Sequence, residues 1–206
     1  MRVNYIDLGL YRGQEIGIMA NVVFPALGIT DYEIHGFEAC KSSYNEVARK
    51  YNGSKRIHIH HLAVGGKKEM MKLYYCVMDK VYHPAGNSLF ATKNNVGEKF
   101  EEVQCVVLSD WLDENVTDWR DCVNILRMNI EGAEWHVMTD LRDKGLLGCF
   151  KAYCGSRPGI DLKKVGELEH HYDDFQKMLE ENGIKWGLFF EDKNAKSFID
   201  YLKDVL

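Results

Sequence analysis

The chain lacks several features that mark whole classes of protein. Its 206 residues include only three prolines, and no apolar run reaches the roughly 18 residues that a membrane-spanning helix needs. The first residues, MRVNYIDLGL, contain no charged region followed by a long apolar stretch, so no secretory signal is predicted. The formal charge of −5 provides no basic field that would attract a phosphate backbone. We therefore expect a cytoplasmic protein that binds neither membranes nor nucleic acids.

The spacing of the cysteines argues against both disulfides and a zinc site. There are six, scattered along the chain, and none forms a C-x-x-C pair. Most of them lie in apolar, strand-like stretches, as buried thiols do in a reducing compartment. The sequence therefore predicts neither a disulfide framework nor a zinc site.

What the sequence does contain is an alternation of apolar runs with amphipathic helical patterns. This alternation predicts an α/β fold with a mostly parallel twisted sheet and helices on both faces. The length fits a single domain over residues 1–206. The predicted strands are 3–8, 32–38, 56–64, 71–77, 103–108, 122–130, 149–154 and 184–190. The predicted helices are 13–28, 41–51, 134–141 and 162–182.

Residues 71–108 depart from this alternation. They predict a hairpin-like insertion near the ligand-binding end of the sheet. Within it, the stretch GNSLFATKNNVG (86–97) has the composition of a loop and is a candidate mobile cover.

The segment YIDLGLYRG (5–13) marks the turn between the first strand and the first helix, where open α/β sheets bind ligands. The dinucleotide fingerprint G-x-G-x-x-G needs a glycine two residues after the first, and Tyr11 stands there instead. The phosphate-binding pattern G-x-x-x-x-G-K-[ST] is also missing. The turn therefore favours a nucleoside ligand without a pyrophosphate, and it disfavours NAD, FAD and nucleoside triphosphates.

Two acidic residues indicate which nucleoside ligand this is. Asp7, at the end of the first strand, can accept hydrogen bonds from an ammonium group, which S-adenosylmethionine carries and NAD does not. Glu38 lies 25 residues after Gly13, at the end of the next strand, where a carboxylate can accept from both ribose hydroxyls. This arrangement is typical of a methyltransferase. The alternative is that both are helix caps, because short motifs often mislead.

A longer set of motifs carries a family resemblance. Residues 123–135, VNILRMNIEGAEW, resemble the signature strand and turn of the FkbM-family methyltransferases. The segments IDLGLYRG, GFEAC, LAVGG and VVLSDWL follow that family's order and approximate spacing over residues 3–155. The resemblance implies a class I, Rossmann-like fold that binds S-adenosylmethionine and methylates a hydroxyl of a saccharide or small molecule. The cofactor residues it implies are Asp7 with Gly9 and Gly13 for the methionine and adenosine portions, Glu38 for the ribose, and Ala39 with Ala63 beside the adenine.

The chain departs from the family pattern at the catalytic turn. Asn129 stands where the family has aspartate, and Arg127 stands where it has lysine. An amide cannot take a proton, so the predicted catalytic residues are Glu131 as the base and Asn129 as an orienting group. Two functions stay open: a methyltransferase, or a non-catalytic binding or scaffold protein that keeps the fold. A homo-oligomer is possible, with a partner subunit completing the acceptor pocket.

Two groups of side chains are candidate metal ligands. His58 and His60 share one face of a predicted strand while His61 points away, which favours strand histidines over metal ligands. Glu131 and Glu134 are a second candidate pair, because some methyltransferases orient an acceptor diol with magnesium. Carboxylates three residues apart at a helix start are more often a cap. We therefore predict no metal.

Overall fold

The computed structural model describes residues 2–189 and 195–206, and its centre is a six-stranded sheet in which every pair of neighbours is parallel. The order across the sheet is β10-β9-β8-β1-β2-β3. The predicted α/β class with a mostly parallel sheet is confirmed. The strands are β1 Val3–Leu8, β2 Tyr32–Phe37, β3 Ile57–His60, β8 Val123–Met128, β9 Phe150–Gly155 and β10 Trp186–Leu188.

Helices cover both faces of this sheet, so β1 and β8 are buried along their whole length. Residues of α1, α3 and α7 form the core on one face, and residues of α4, α5 and α6 form the core on the other. No helix in the described ranges is both long and apolar enough to cross a membrane. The helices are α1 Gln14–Ile18, α2 Phe24–Ala26, α3 Lys41–Lys50, α4 Leu108–Asn115, α5 Glu134–Asp143, α6 Tyr172–Glu181 and α7 Ala195–Val205, with a π-helical turn, Met19–Val23, joining α1 to α2.

The predicted insertion forms most of a second, four-stranded sheet in the order β4-β7-β5-β6, in which β4 comes from the end of the predicted strand 56–64. Its strands are β4 Ala63–Val64, β5 Met70–Met78, β6 Val81–Ser88 and β7 Val96–Val106. The strand β5 pairs antiparallel with both β6 and β7, as a hairpin insertion requires. The stretch predicted as a loop, 86–97, begins in β6 and ends in β7, so only residues 89–95 connect the two strands.

Several predicted boundaries were wrong. Residues 162–171 form two short 3₁₀ turns, not the first half of a helix. The run predicted as strand 103–108 ends in the first residue of α4. The last residue of the predicted strand 184–190 lies outside the described residues, and α7 was not predicted.

Candidate active site

A cavity of about 390 Å³ opens at the carboxyl ends of the parallel strands. The connection from β1 runs to β2 on one side, while β8 lies on the other side of β1. This reversal of strand order is the position at which open α/β sheets bind ligands. The turns after β1, β2 and β8 supply its floor, and residues 84–87 of the insertion supply one wall.

The glycine predicted at the start of the first turn is needed for a close backbone approach. Gly9 has a φ of 87°, and a Cβ built there would lie 2.1 Å from the carbonyl oxygen of Asn129. No other residue fits this position. Gly9 lines the cavity, and so does Tyr11, whose bulk was the reason for disfavouring a pyrophosphate.

Glu38 lies in the cavity wall and joins the first two turns. Its carboxylate accepts hydrogen bonds from the backbone N–H of Tyr11 at 2.7 Å and of Cys40 at 2.8 Å. Burial raises the pKa of Glu38 to about 7, and these amides oppose the shift. Each carboxylate oxygen keeps a lone pair for a ligand hydroxyl.

The two alanines predicted beside an adenine lie next to Glu38. Ala39 and Ala63 line the cavity together with Leu62 and Val64. Ala63 and Val64 are buried, so this part of the wall is apolar. A flat apolar surface next to a carboxylate is what a nucleoside needs.

Asp7 does not line the cavity, which corrects the expectation that its carboxylate meets a ligand ammonium directly. The parallel register places Asp7 beside Arg127, and the Nη1 atom of Arg127 donates to Asp7 Oδ1 at 2.6 Å. Tyr5 donates its hydroxyl to the other oxygen. Burial raises the pKa of Asp7 to about 6, against the opposing charge of Arg127. Asp7 is therefore sealed inside the protein.

Gly13 also stands away from the cavity, because it is a packing position. A Cβ there would lie 2.8 Å from a methyl carbon of Val47 on α3, and the φ of Gly13 is 61°. The hydroxyl of Tyr51 donates to its carbonyl oxygen at 2.9 Å. The expectation that Gly13 contacts the cofactor is therefore corrected. Gly13 allows the start of α1 to pack closely against α3.

Asn129 and Glu131, the predicted catalytic residues, both line the cavity. The backbone N–H of Asn129 donates to the carbonyl of Leu8, which places the backbone of Asn129 beside Gly9. Glu131 has a φ of 59°, an uncommon conformation for a residue with a side chain. The turn therefore holds Glu131 towards the cavity at some conformational cost.

Glu134 supports this turn from behind. One of its oxygens accepts from the backbone N–H of Ile130 at 2.7 Å, and the other accepts from Gly132 at 2.8 Å. Burial raises the pKa of Glu134 to about 7, with a further contribution from the charge of Asp161. Both oxygens of Glu134 are engaged by the protein, so this residue caps the turn.

Sequence reasoning missed Lys93, which pairs with Glu131. The Nζ atom of Lys93 lies 2.6 Å from Glu131 Oε2, and it donates to the carbonyl of Gly86 at 2.7 Å. The Lys93 side chain is completely buried. Ser88 donates its hydroxyl to the backbone carbonyl of Glu131. The insertion is thereby attached to the turn that carries Glu131, a contact between segments about 40 residues apart that no local pattern could reveal.

The far wall of the cavity carries further polar groups that were not predicted. Asp161 and Lys164 form an ion pair of 2.6 Å, and both line the cavity. Asn87 from the insertion and Ser156 after β9 lie there too. These groups can hydrogen-bond a polar ligand. Only Lys164 lies in the predicted helix 162–182, and the residue types of the other three gave no signal.

The histidines show no metal geometry. His35, His58 and His60 stack on one another beside Trp111, and His61 stacks on Tyr44 instead. Burial lowers the pKa of both His35 and His60 to about 4, so these rings are neutral at pH 7. Across residues 2–189 and 195–206, no three potential metal-binding side chains converge.

The fold and cavity define an α/β protein with a cavity where its parallel sheet reverses strand order. Residues 12–186 match the family described as methyltransferase FkbM domain. The chain therefore belongs to the FkbM methyltransferase family, which confirms the resemblance found in the sequence.

Comparison with solved structures adds one similar protein. The crystal structure of methyltransferase FkbM from Methylobacillus flagellatus KT is 11% identical in sequence, with a TM-score of 0.41. The alignment covers 98% of this chain and 36% of that one, so this chain spans little more than a third of that protein's length. No curated protein matches the chain.

Proposed function

We propose that the chain is an S-adenosylmethionine-dependent O-methyltransferase with a class I, Rossmann-like fold. Its acceptor is proposed to be a hydroxyl of a saccharide or small molecule. One observation carries the proposal: the cavity at the switch point is apolar beside Ala39 and Ala63, carries the Glu38 carboxylate next to them, and ends at Glu131. These features fit a nucleoside on one side and a reacting hydroxyl on the other.

The cofactor would be held by groups that the cavity already presents. Glu38 would accept the ribose hydroxyls, and Ala39 with Ala63 would border the adenine. The close approach of Gly9 to Asn129 would leave room for the sulfur end of the molecule beside the turn. Tyr11 in the wall favours this ligand over NAD, whose pyrophosphate needs bare backbone at that position.

The chemistry that the cofactor supplies is an electrophilic methyl group on a sulfonium. The protein then has two tasks, which are to align the acceptor oxygen and to take its proton. Held by Glu38, Ala39 and Ala63, the cofactor would supply this methyl group to the acceptor oxygen as the hydroxyl loses its proton. Glu131 takes the hydroxyl proton, and Asn129 orients the acceptor or the cofactor through its amide.

The polar far wall supports a hydroxyl-rich acceptor. Asn87, Asp161 and Lys164 face the same cavity as Glu131 and supply both donors and acceptors. A saccharide presents donors and acceptors in similar number, so it can add hydrogen bonds to these side chains, which already pair with each other or with the insertion. This wall is the reason for preferring a saccharide or other polar hydroxyl compound.

A non-catalytic binding protein is the second candidate, and Asn129 in place of the family's aspartate favours it. A thermal-shift scan against S-adenosylmethionine, S-adenosylhomocysteine, NAD and ATP tests the ligand. A methyl-release assay on a pooled acceptor library then tests turnover. Stabilisation by the two adenosylated ligands with turnover on an acceptor supports the enzyme, while stabilisation without turnover supports the binding protein. Stabilisation by NAD alone contradicts both.

A further inference from the structure

One end of the cavity carries an unusual group of charges. The guanidinium of Arg127 is almost completely buried, and it binds two carboxylates: Asp7 through Nη1 at 2.6 Å and Glu15 through Nη2 at 3.0 Å. The carboxylates raise the pKa of Arg127 well above its usual range even though burial alone would lower it. With both carboxylates ionised, the group has one more negative charge than positive.

The two carboxylates differ in their access to the cavity. Asp7 is fully buried and uses both oxygens inside the protein. Glu15 lines the cavity with Arg127, and only its Oε1 atom is bonded to the guanidinium. Its Oε2 atom accepts no hydrogen bond from the described residues, and the side chain is 7% exposed where it lines the cavity. Oε2 is therefore the oxygen that a ligand in the cavity would use.

Arg127 also keeps a donor for a ligand. A guanidinium has five N–H groups. Those on Nη1 go to Asp7 and to the carbonyl of Gly9, Nε faces the carbonyl of Phe189 at 3.5 Å, and one on Nη2 goes to Glu15. The second N–H on Nη2 has no partner among the described residues. Glu15 and Arg127 thus line the cavity side by side, with side chains that are 7% and 1% exposed.

We infer that Glu15 and Arg127 bind the α-amino-acid end of the cavity ligand, with Asp7 acting only to position Arg127. A ligand ammonium would donate to Glu15 and supply the missing positive charge, because a buried unbalanced charge is costly. The ligand carboxylate would accept from Arg127. This inference rests on the proposed function, because S-adenosylmethionine is the ligand that carries an amino acid, and it replaces Asp7 by Glu15 as the ammonium acceptor.

The test separates the two ends of the ligand. Binding of S-adenosylhomocysteine and of 5′-methylthioadenosine, which has no amino-acid portion, is measured by calorimetry on wild type and Glu15→Gln. Losing a charge-assisted hydrogen bond predicts a loss of about ten- to a hundredfold for S-adenosylhomocysteine in Glu15→Gln. The affinity for 5′-methylthioadenosine is expected to stay within about twofold. Glu46→Gln, the same change on the exposed face of α3, is the matched control and leaves both unchanged.

A second measurement uses only the wild-type protein, so it does not depend on whether Glu15→Gln folds. An analogue of S-adenosylhomocysteine that lacks only the ammonium group is expected to bind wild type at least about tenfold more weakly than the parent. Where Glu15→Gln folds, it is expected to bind this analogue as well as wild type does, because the contact that Glu15 makes is already missing.

The outcomes distinguish this inference from the proposed function. If wild type binds neither S-adenosylhomocysteine nor 5′-methylthioadenosine, the proposed function fails and the inference fails with it. If wild type binds both, and Glu15→Gln loses neither or loses both by the same factor, the inference alone is overturned. Equal binding of the ammonium-free analogue and its parent to wild type overturns it as well.

Discussion

Glu38 and Glu131 both follow parallel strands and line the same cavity, yet the protein holds them in different ways. Glu38 is held by two backbone amides, from Tyr11 and Cys40, while Glu131 is paired with the ammonium of Lys93. Amides carry no net charge, so burial still raises the pKa of Glu38 to about 7. The first carboxylate shapes a binding wall, and the second is kept beside a cation where a reacting hydroxyl can be placed.

The largest effect is expected on kcat, when Glu131 is replaced. Glu131→Gln should lower kcat by about 10²- to 10⁴-fold, the usual contribution of a general base, because an amide cannot take the acceptor proton. Calorimetry with S-adenosylhomocysteine should show little change in cofactor affinity. Glu180→Gln on the exposed face of α6 is the control. Full turnover by Glu131→Gln on an identified acceptor would place the base elsewhere.

Removing the cation instead of the carboxylate should mainly affect stability. Lys93→Met leaves Glu131 without its partner and also frees the carbonyl of Gly86, so we expect the free energy of unfolding to fall by about 3 kcal/mol in urea titrations. Lys93→Met combined with Glu131→Gln should recover part of this loss, since no unpaired charge then remains. Strict additivity of the two single changes would show that the residues are not coupled.

For Glu38, which is held by backbone amides, we expect a stability that depends on pH. Because the pKa of Glu38 is raised from 4.5 to about 7, its contribution to stability is fully present below pH 4.5 and is lost as the pH rises to about 7. The unfolding free energy of wild type minus that of Glu38→Gln should therefore fall by about 1–3 kcal/mol between pH 4.5 and 8. The shared titrations of Asp7 and the histidines cancel in this difference. A difference that rises with pH contradicts the assignment.

The smallest effect is expected at Asn129. Asn129→Asp restores the family's residue next to Glu131, so kcat on an identified acceptor should be retained or raised. The new carboxylate lies beside the catalytic turn and does not replace any bond that the side chain of Asn129 makes in the described structure. Loss of most activity in this variant would show that the amide itself is required.

The fold was predictable because its main signals are local. The apolar runs of β1, β2, β8 and β9 and the helical period of α3 and α5 are visible in sequence. The first half of the predicted helix 162–182 was wrong because residues 162–171 turn twice before α6 begins, bringing Asp161 and Lys164 to the cavity. Tertiary contacts overrode the local pattern there.

The candidate site was only partly predictable, for two physical reasons. Gly9 and Glu38 directly follow β1 and β2, Glu131 stands three residues after β8, and all three line the cavity as expected. Asp7 was misplaced because its partner depends on the register between β1 and β8, which brings Arg127 beside it. Lys93 was missed because it reaches Glu131 from a separate sheet.

The central claim is that this cavity binds an adenosylated ligand through Glu38, and calorimetry with S-adenosylhomocysteine tests it most directly. Wild type should bind, and Glu38→Ala should bind about ten- to a hundredfold more weakly, because it loses a charge-assisted hydrogen bond to the ribose. Glu46→Ala serves as the exposed control and should bind as wild type does. No binding to wild type, or an unchanged affinity in Glu38→Ala, would contradict the account.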